Sequence, residues 1–217
     1  MTKLFFVRHG KTEWNLERRY QGARGDSPLL DQSYQEIKEL SQYLQQFEFT
    51  KVYASPIKRA RITAQEILKH LNNPPRLQLD DAFKEFNLGK MEGMKFSDVK
   101  REFPHEYQAF RHDPSKYRAE VVGGESFQDV FNRMTPKIQE ICRRYPEANI
   151  LIVSHGAALG AEIRHLLGYS LEHLRDKGGL SNTSTTILES HDGQSFTCLA
   201  WDKVDYLSRQ LGKDDKV

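Results

Sequence analysis

The sequence predicts a three-layer α/β fold: a mainly parallel central sheet, helices on both faces, and a helical and loop excursion over one end. Two observations carry this. Short aliphatic runs alternate with segments whose apolar residues recur every three or four positions, the signature of βαβ units. The two most apolar runs, Leu4–Val7 and Ile150–Val153, each lead into a His-Gly pair, His9-Gly10 and His155-Gly156. Parallel sheets take their ligands beyond the carboxyl ends of the strands, which places both histidines at one edge.

Each element has a local reason. Leu4–Val7 reads as a buried strand. Tyr34, Ile37, Leu40, Tyr43, Leu44 and Phe47 form one apolar helix face. Val52–Ala54 is a short strand, and Ser55-Pro56 predicts a helix start with Ser as N-cap and Pro in the first position. Ile57, Ala60, Ala64, Ile67, Leu68 and Leu71 make that helix's inner stripe, which Asn72-Asn73-Pro74-Pro75 ends before a strand at Leu77–Leu79. Residues 80–125 are charged, aromatic and broken by Pro104, Pro114, Gly123 and Gly124, so they are expected to hold only short helices and to cover the active edge. Ser126 and Asp129 resemble a capping box for a long helix with Phe127, Val130, Phe131, Met134, Ile138, Ile141 and Cys142 on its stripe. Ile150–Ser154 is a second buried strand. A helix through Leu159, Ile163 and Leu166 ends at Gly168, and Thr185–Glu189 pairs with Phe196–Trp201 around Asp192-Gly193. No Gly/Ser linker, repeat or charge block divides the chain, so residues 1–217 are read as a single domain.

Composition bounds the function. With 217 residues, 38% hydrophobic and 29% charged, the chain has the make-up of a globular protein and excludes collagen-like or disordered classes. A formal charge of +2 leaves no basic stripe for nucleic acid, so any anion must bind at a local cluster. Two cysteines, Cys142 and Cys198, make neither a disulfide framework nor a zinc cluster and suit a reducing compartment. The other histidines show no metal-ligand spacing, so no metal is expected. Too few apolar residues precede Arg8-His9 for a signal peptide, and no run approaches the roughly 20 needed to cross a bilayer. The expectation is a cytoplasmic protein without membrane association. Oligomeric state is open, a homo-oligomer included. The last residues, Gly212–Val217, are expected to fray.

Arg8 precedes His9, and Arg59 lies one turn into the second predicted helix. Helical side chains lean toward the N-terminus, so Arg59 reaches back to the edge that carries the histidines. Two guanidiniums and two imidazoles then form an anion pocket with a nucleophile in it, since Arg suits phosphate oxygens and neutral imidazole is nucleophilic near its ordinary pKa of about 6.5. A solvated helix charge is the plainer reading of such a residue, and it fits Lys58 better than Arg59.

These segments resemble a family. Leu4-Phe5-Phe6-Val7-Arg8-His9-Gly10-Lys11-Thr12-Glu13-Trp14-Asn15, followed by Gln21-Gly22, is similar to the signature of the histidine phosphatase superfamily, in its phosphoglycerate mutase-like branch. Ser55-Pro56-Ile57-Lys58-Arg59-Ala60-Arg61-Ile62-Thr63-Ala64, Phe83-Lys84-Glu85-Phe86-Asn87-Leu88-Gly89-Lys90-Met91-Glu92-Gly93, Gly124-Glu125-Ser126 and Val153-Ser154-His155-Gly156 match its other motifs in order. The resemblance implies a phosphomonoesterase acting on small phosphate esters without cofactor. His9 would be the nucleophile, and Arg8, Arg59 and His155 would bind the phosphoryl oxygens. Asn15 would contact the phosphate, Gln21, Gly22 and Gly156 would line the substrate side, and Glu85 would be the general acid, then base.

The sequence departs from the family pattern at Leu30 and Ser33, where Thr and Gly are usual at a helix start, and at Met91, where Trp is common and a changed pocket wall is expected. Phe86, Met91, Phe110 and Tyr117 are candidates to line the entrance. Tyr107, Phe110 and Tyr117 either cover the pocket or pack the excursion. Arg18, Arg19 and Arg24 either meet a second anionic group or are solvated. The alternative function is a 2,3-bisphosphoglycerate-dependent phosphoglycerate mutase, which shares the phosphohistidine. Only residues 86–123 separate Glu85 from Gly124, a short cover that leaves the intermediate open to water and favours hydrolysis. A binding protein on an inactive scaffold would have lost His9, Arg59, Glu85 or His155, and all are present.

Overall fold

The computed structural model describes residues 1–210, 212, 215 and 216. One six-stranded sheet, in the order β3-β2-β4-β1-β5-β6, forms the middle layer. Its strands are β1 (Thr2–Arg8), β2 (Lys51–Ala54), β3 (Leu77–Leu79), β4 (Asn149–Ser154), β5 (Thr185–Ser190) and β6 (Phe196–Lys203). The helices are α1 (Glu13–Leu16), α2 (Asp31–Leu44), α3 (Lys58–His70), α4 (Phe96–Glu102), α5 (Pro104–His112), α6 (Ala119–Val122), α7 (Phe127–Arg144) and α8 (Gly156–Leu166). β1, β2, β3 and β4 are parallel, and β5 and β6 close one side as antiparallel neighbours. The predicted three-layer, mainly parallel sandwich is the fold observed.

The strands divide their side chains between two cores, as a pleat of period two requires. Phe5, Val7, Val52, Ala54, Leu151 and Val153 point to the face covered by α2 and α3. Leu4, Phe6, Tyr53, Ile150 and Ile152 point to the face covered by α7 and α8. Because both faces are buried, β1 and β4 read as continuous apolar runs rather than alternating ones. Arg8 of β1 pairs in register with Ser154 of β4, so His9 and His155 leave the sheet side by side.

Residues 80–125 form short α and 3-10 helices over that edge, as expected. Ser126 caps α7 in a capping box with Asp129, an arrangement worth about 1 kcal/mol. Three local expectations are corrected. First, α3 starts at Lys58 with Ile57 as its cap residue, not at Ser55-Pro56. The Ser55 hydroxyl is engaged elsewhere, accepting from Ile57 N at 3.2 Å and meeting His155 Nε2 at 2.8 Å. Second, Met91 is fully buried in the core beneath the excursion, so it is no pocket wall. Third, the terminal segment is tied down where it is described. Asp215 is 2% exposed and pairs with Lys11 at 2.9 Å and with both terminal nitrogens of Arg209 at 2.8 Å. Residues 213, 214 and 217 of the segment expected to fray lie outside the described residues. At the unusual start of α2, Leu30 gives no side-chain cap, and Ser33 instead donates to Lys11 O at 2.7 Å, tying α2 to the loop after β1.

Candidate active site

His9 projects from the end of β1 and is 3% exposed. Its Nδ1 lies 2.7 Å from the carbonyl oxygen of Gly10, which can only accept, so Nδ1 carries the proton. Nε2 lies 3.2 Å from Arg59 Nε, an N–H donor, so Nε2 carries the lone pair. The two bonds together assign a tautomer whose nucleophilic nitrogen faces the arginine. Burial, and then the charges of Arg59 and Arg8, hold the His9 pKa well below its ordinary value, which keeps the imidazole neutral at neutral pH.

His155 is fully buried, its ring centroid 5.3 Å from that of His9. Burial and Arg59 lower its pKa as well. Among the described residues, its Nδ1 and Arg8 Nε have no hydrogen-bond partner, and neither has Asn182 Oδ1. Such orphaned buried atoms are rare, and here they flank the nucleophile. Arg8 spends Nη1 on Leu180 O at 2.6 Å and Asp215 O at 3.2 Å, leaving Nε for a ligand. Burial lowers the Arg8 guanidinium to about 10, so it stays charged at neutral pH.

Asn15 forms a capping box with Thr12 at the start of α1. Its Oδ1 accepts from Thr12 N at 3.1 Å and from Thr12 Oγ1 at 3.0 Å, which orients the NH₂ end away from the cap. Arg59 is 1% exposed and clamps the neighbouring loop, donating to Gln21 O, Gly22 O, Gly25 O and Asp26 Oδ1 at 2.8–3.2 Å. Glu85 accepts from Phe86 N at 2.9 Å, Ala158 N at 2.8 Å and Ala157 N at 3.0 Å. The last two are orphan donors of the first turn of α8, so a carboxylate distant in sequence caps that helix while lining the cleft.

Arg8, His9, Asn15, Gln21, Glu85 and Gly156 line one cleft of about 40 Å³, and Arg59, His155 and Gly22 pack directly behind it. Of the expected entrance residues, Phe110 lines this cleft, Phe86 and Met91 are core, and Tyr117 packs edge-on against Phe110, ring centres 5.1 Å apart. Gly156 is required by a close approach, because a Cβ there would sit 2.9 Å from Arg8 Nε and 3.1 Å from its Cζ. Gly156→Ala is therefore expected to displace Arg8 and to lower kcat/KM about 100-fold, the scale for misplacing a catalytic group by about 1 Å. Steady-state kinetics beside a thermal melt separates that loss from unfolding.

Three supporting residues escaped the sequence reading. Glu92 accepts from Gly22 N, Arg24 N, Gly25 N and Leu88 N at 2.9–3.2 Å and so builds the loop that Arg59 clamps. Arg133 donates to Ala82 O, Lys84 O and Glu85 O and pairs with Glu125 at 3.0 Å, fixing the segment that carries the acid. Asn182 donates to His9 O at 3.0 Å. Glu92 and Glu125 stood inside quoted motifs, whereas Arg133 looked like any helix charge. Among the described residues, no group of three or more His, Cys, Asp or Glu could hold a metal ion, and no helix is long and apolar enough to cross a membrane.

A family model described as histidine phosphatase superfamily, branch 1, matches residues 4–203. Phosphoserine phosphatase 1 of Hydrogenobacter thermophilus is 31% identical over 192 residues, spanning 88% of each chain. A metal-independent phosphoserine phosphatase of Arabidopsis thaliana is 28% identical over 210 residues, spanning 96% of this chain and 84% of the relative. Among solved structures, Bacillus stearothermophilus YhfR superposes with a TM-score of 0.87 at 31% identity, covering 95% of this chain and 99% of that one.

Proposed function

Because the chain belongs to branch 1 of the histidine phosphatase superfamily and is a phosphomonoesterase, we propose that it works without a metal ion, through a phosphohistidine on His9. Nε2 attacks phosphorus, the bond to the ester oxygen breaks, and Glu85 gives that oxygen its proton. Glu85 then takes a proton from water, which attacks the phosphohistidine, and phosphate leaves with His9 restored. Arg8 Nε, the Asn15 NH₂, His155 Nδ1 and Arg59 hold the equatorial oxygens, where phosphoryl transfer gathers charge. Arg59 Nε releases His9 as it does so. Gln21, Gly22 and Gly156 shape the substrate side.

The observation that carries this reading is the His9 tautomer, with a buried, neutral imidazole whose lone pair is held among cationic donors. Its substrates are small phosphate esters. The cytoplasm is the location we assign, supported by two free cysteines, of which Cys142 is buried and raised to about 11.

Hydrolysis rather than mutase turnover is the expected outcome of one assay with two readouts. Phosphate should appear from several monoesters at a rate unchanged by EDTA. Conversion of 3-phosphoglycerate to 2-phosphoglycerate, with 2,3-bisphosphoglycerate added, should stay well below it. Mutase turnover above phosphate release would reverse the assignment, and chelator inhibition would remove the metal-free mechanism.

A further inference from the structure

The cleft that holds His9 opens beside a wider one. The second measures about 290 Å³, against about 40 Å³ for the first, and Tyr20, Phe110 and Ala157 line both. An ester with its phosphorus at His9 extends its leaving group toward this space. The walls there are cationic. Arg175 donates through Nε to Phe110 O at 3.1 Å, and its guanidinium lies 5.2 Å from the Phe110 ring centre and 5.6 Å from that of Phe127. Its terminal amino groups make no hydrogen bond among the described residues, and no described carboxylate pairs with it. Burial first, then the charge of Arg164, lowers Arg175 to about 10. Arg111 stacks on Phe96 at 4.9 Å and likewise lacks a carboxylate among the described residues. Lys216, also in the wall, differs in being paired with Asp202 at 2.9 Å.

A second observation points the same way. Tyr20 is 4% exposed, and its hydroxyl faces the Arg111 guanidinium, which can only donate, so the hydroxyl proton has no acceptor among the described residues. Burial pushes that hydroxyl up to about 12, so it is a donor at neutral pH. A buried hydroxyl without an acceptor is costly, and an anion in the cleft would accept from it and from the two half-buried guanidiniums together.

We propose that this cleft binds a second anionic group carried by the leaving group of the ester, a carboxylate or a second phosphate, through Arg175, Arg111 and the Tyr20 hydroxyl. The arginines expected from sequence to meet such a group do not line this cleft. Arg19 lines the narrower His9 cleft instead and pairs with Glu17 at 2.5 Å, and Arg24 is exposed.

The proposal rests on the reading of His9 as nucleophile, and the test separates the two. The readout is the ratio of kcat/KM between matched esters. Glycerate 3-phosphate against glycerol 3-phosphate reports a carboxylate, and fructose 1,6-bisphosphate against fructose 6-phosphate reports a second phosphate. At least one ratio should exceed tenfold, and the larger names the anion. Arg175→Gln should bring that ratio near one, Arg111→Gln should lower it, and Arg175→Lys should keep part of it. Arg175→Glu should favour phosphoethanolamine, whose tail is cationic. Ratios near one in the unaltered enzyme, or an equal fall on both esters of a pair in every variant, would overturn the subsite and leave His9 chemistry standing. Undiminished turnover of all these esters by His9→Ala would overturn the nucleophile instead.

Discussion

Replacing His9 by alanine is expected to remove both the covalent adduct and nearly all turnover, by a factor on the order of 10⁴–10⁶, the scale for deleting a covalent nucleophile. Arg8, Arg59 and the other donors would still bind phosphate, so the loss should fall on kcat while affinity for inorganic phosphate changes little. Brief mixing of the unaltered enzyme with a labelled ester, then a quench, should leave a base-stable, acid-labile label on residue 9. Label retained by His9→Ala would refute the assignment. The pH behaviour follows from the same environment. Attack requires neutral imidazole, and burial with Arg59 and Arg8 already holds His9 neutral well below its ordinary pKa. An imidazole titration followed by nitrogen NMR should find His9 uncharged as pH falls through about 6.5, the model-peptide value. Arg59→Gln removes the largest cationic contribution and should move the His9 pKa upward. A downward move would mean that the arginine's charge is not what depresses it.

The parts of this molecule legible in the sequence are those in which one residue type answers one local demand. β1 and β4 announce themselves because strands buried on both faces tolerate only apolar side chains, and the residues after them must then sit at the ligand-binding edge. His9 and His155 follow from that placement alone. Glu85 does not. Its role depends on reaching the first turn of α8 across 72 residues of chain, and only the resemblance to a family singled it out. Ser55 misled for a related reason. A Ser-Pro pair before an apolar stripe has the local chemistry of a helix start, yet its hydroxyl is held by His155, a tertiary partner that overrides the cap.

The arginines teach the same lesson more sharply. Arg18, Arg19 and Arg24 attracted notice because they cluster beside the first motif. Arg111 and Arg175 did not, since one ends a short helix and the other sits in a loop after α8. What distinguishes the second pair is a place in the wall of the wider cleft with no paired carboxylate among the described residues, and such placement is fixed by folding rather than by spacing along the chain. Arg133 was hidden likewise. It reads as a solvated charge on α7, and only the folded excursion brings three carbonyl oxygens to its fork.

Replacing Glu85 by glutamine is expected to slow hydrolysis of alkyl phosphates by roughly 10²–10⁴-fold, the contribution of a positioned acid, and to slow p-nitrophenyl phosphate far less. The difference arises in the leaving group. An alkoxide is strongly basic and departs only as it takes a proton, whereas p-nitrophenolate departs without one. The two oxygens of Glu85 also accept three backbone N–H groups, and an amide nitrogen cannot replace an oxygen in those bonds. Glutamine therefore leaves a buried donor unpaired, a loss of about 1–3 kcal/mol in stability that a thermal melt will register. That structural cost falls on every substrate equally, since it is paid before any ester binds. The chemical cost scales with the basicity of the leaving oxygen. Plotting log kcat/KM against leaving-group pKa for both enzymes separates the two. The unaltered enzyme should give a shallow slope and Glu85→Gln a steep one, the lines converging at the most acidic phenols, with Glu85→Asp between them. Parallel lines would mean that Glu85 only holds α8 in place, and the proton would then have to come from another group in the cleft.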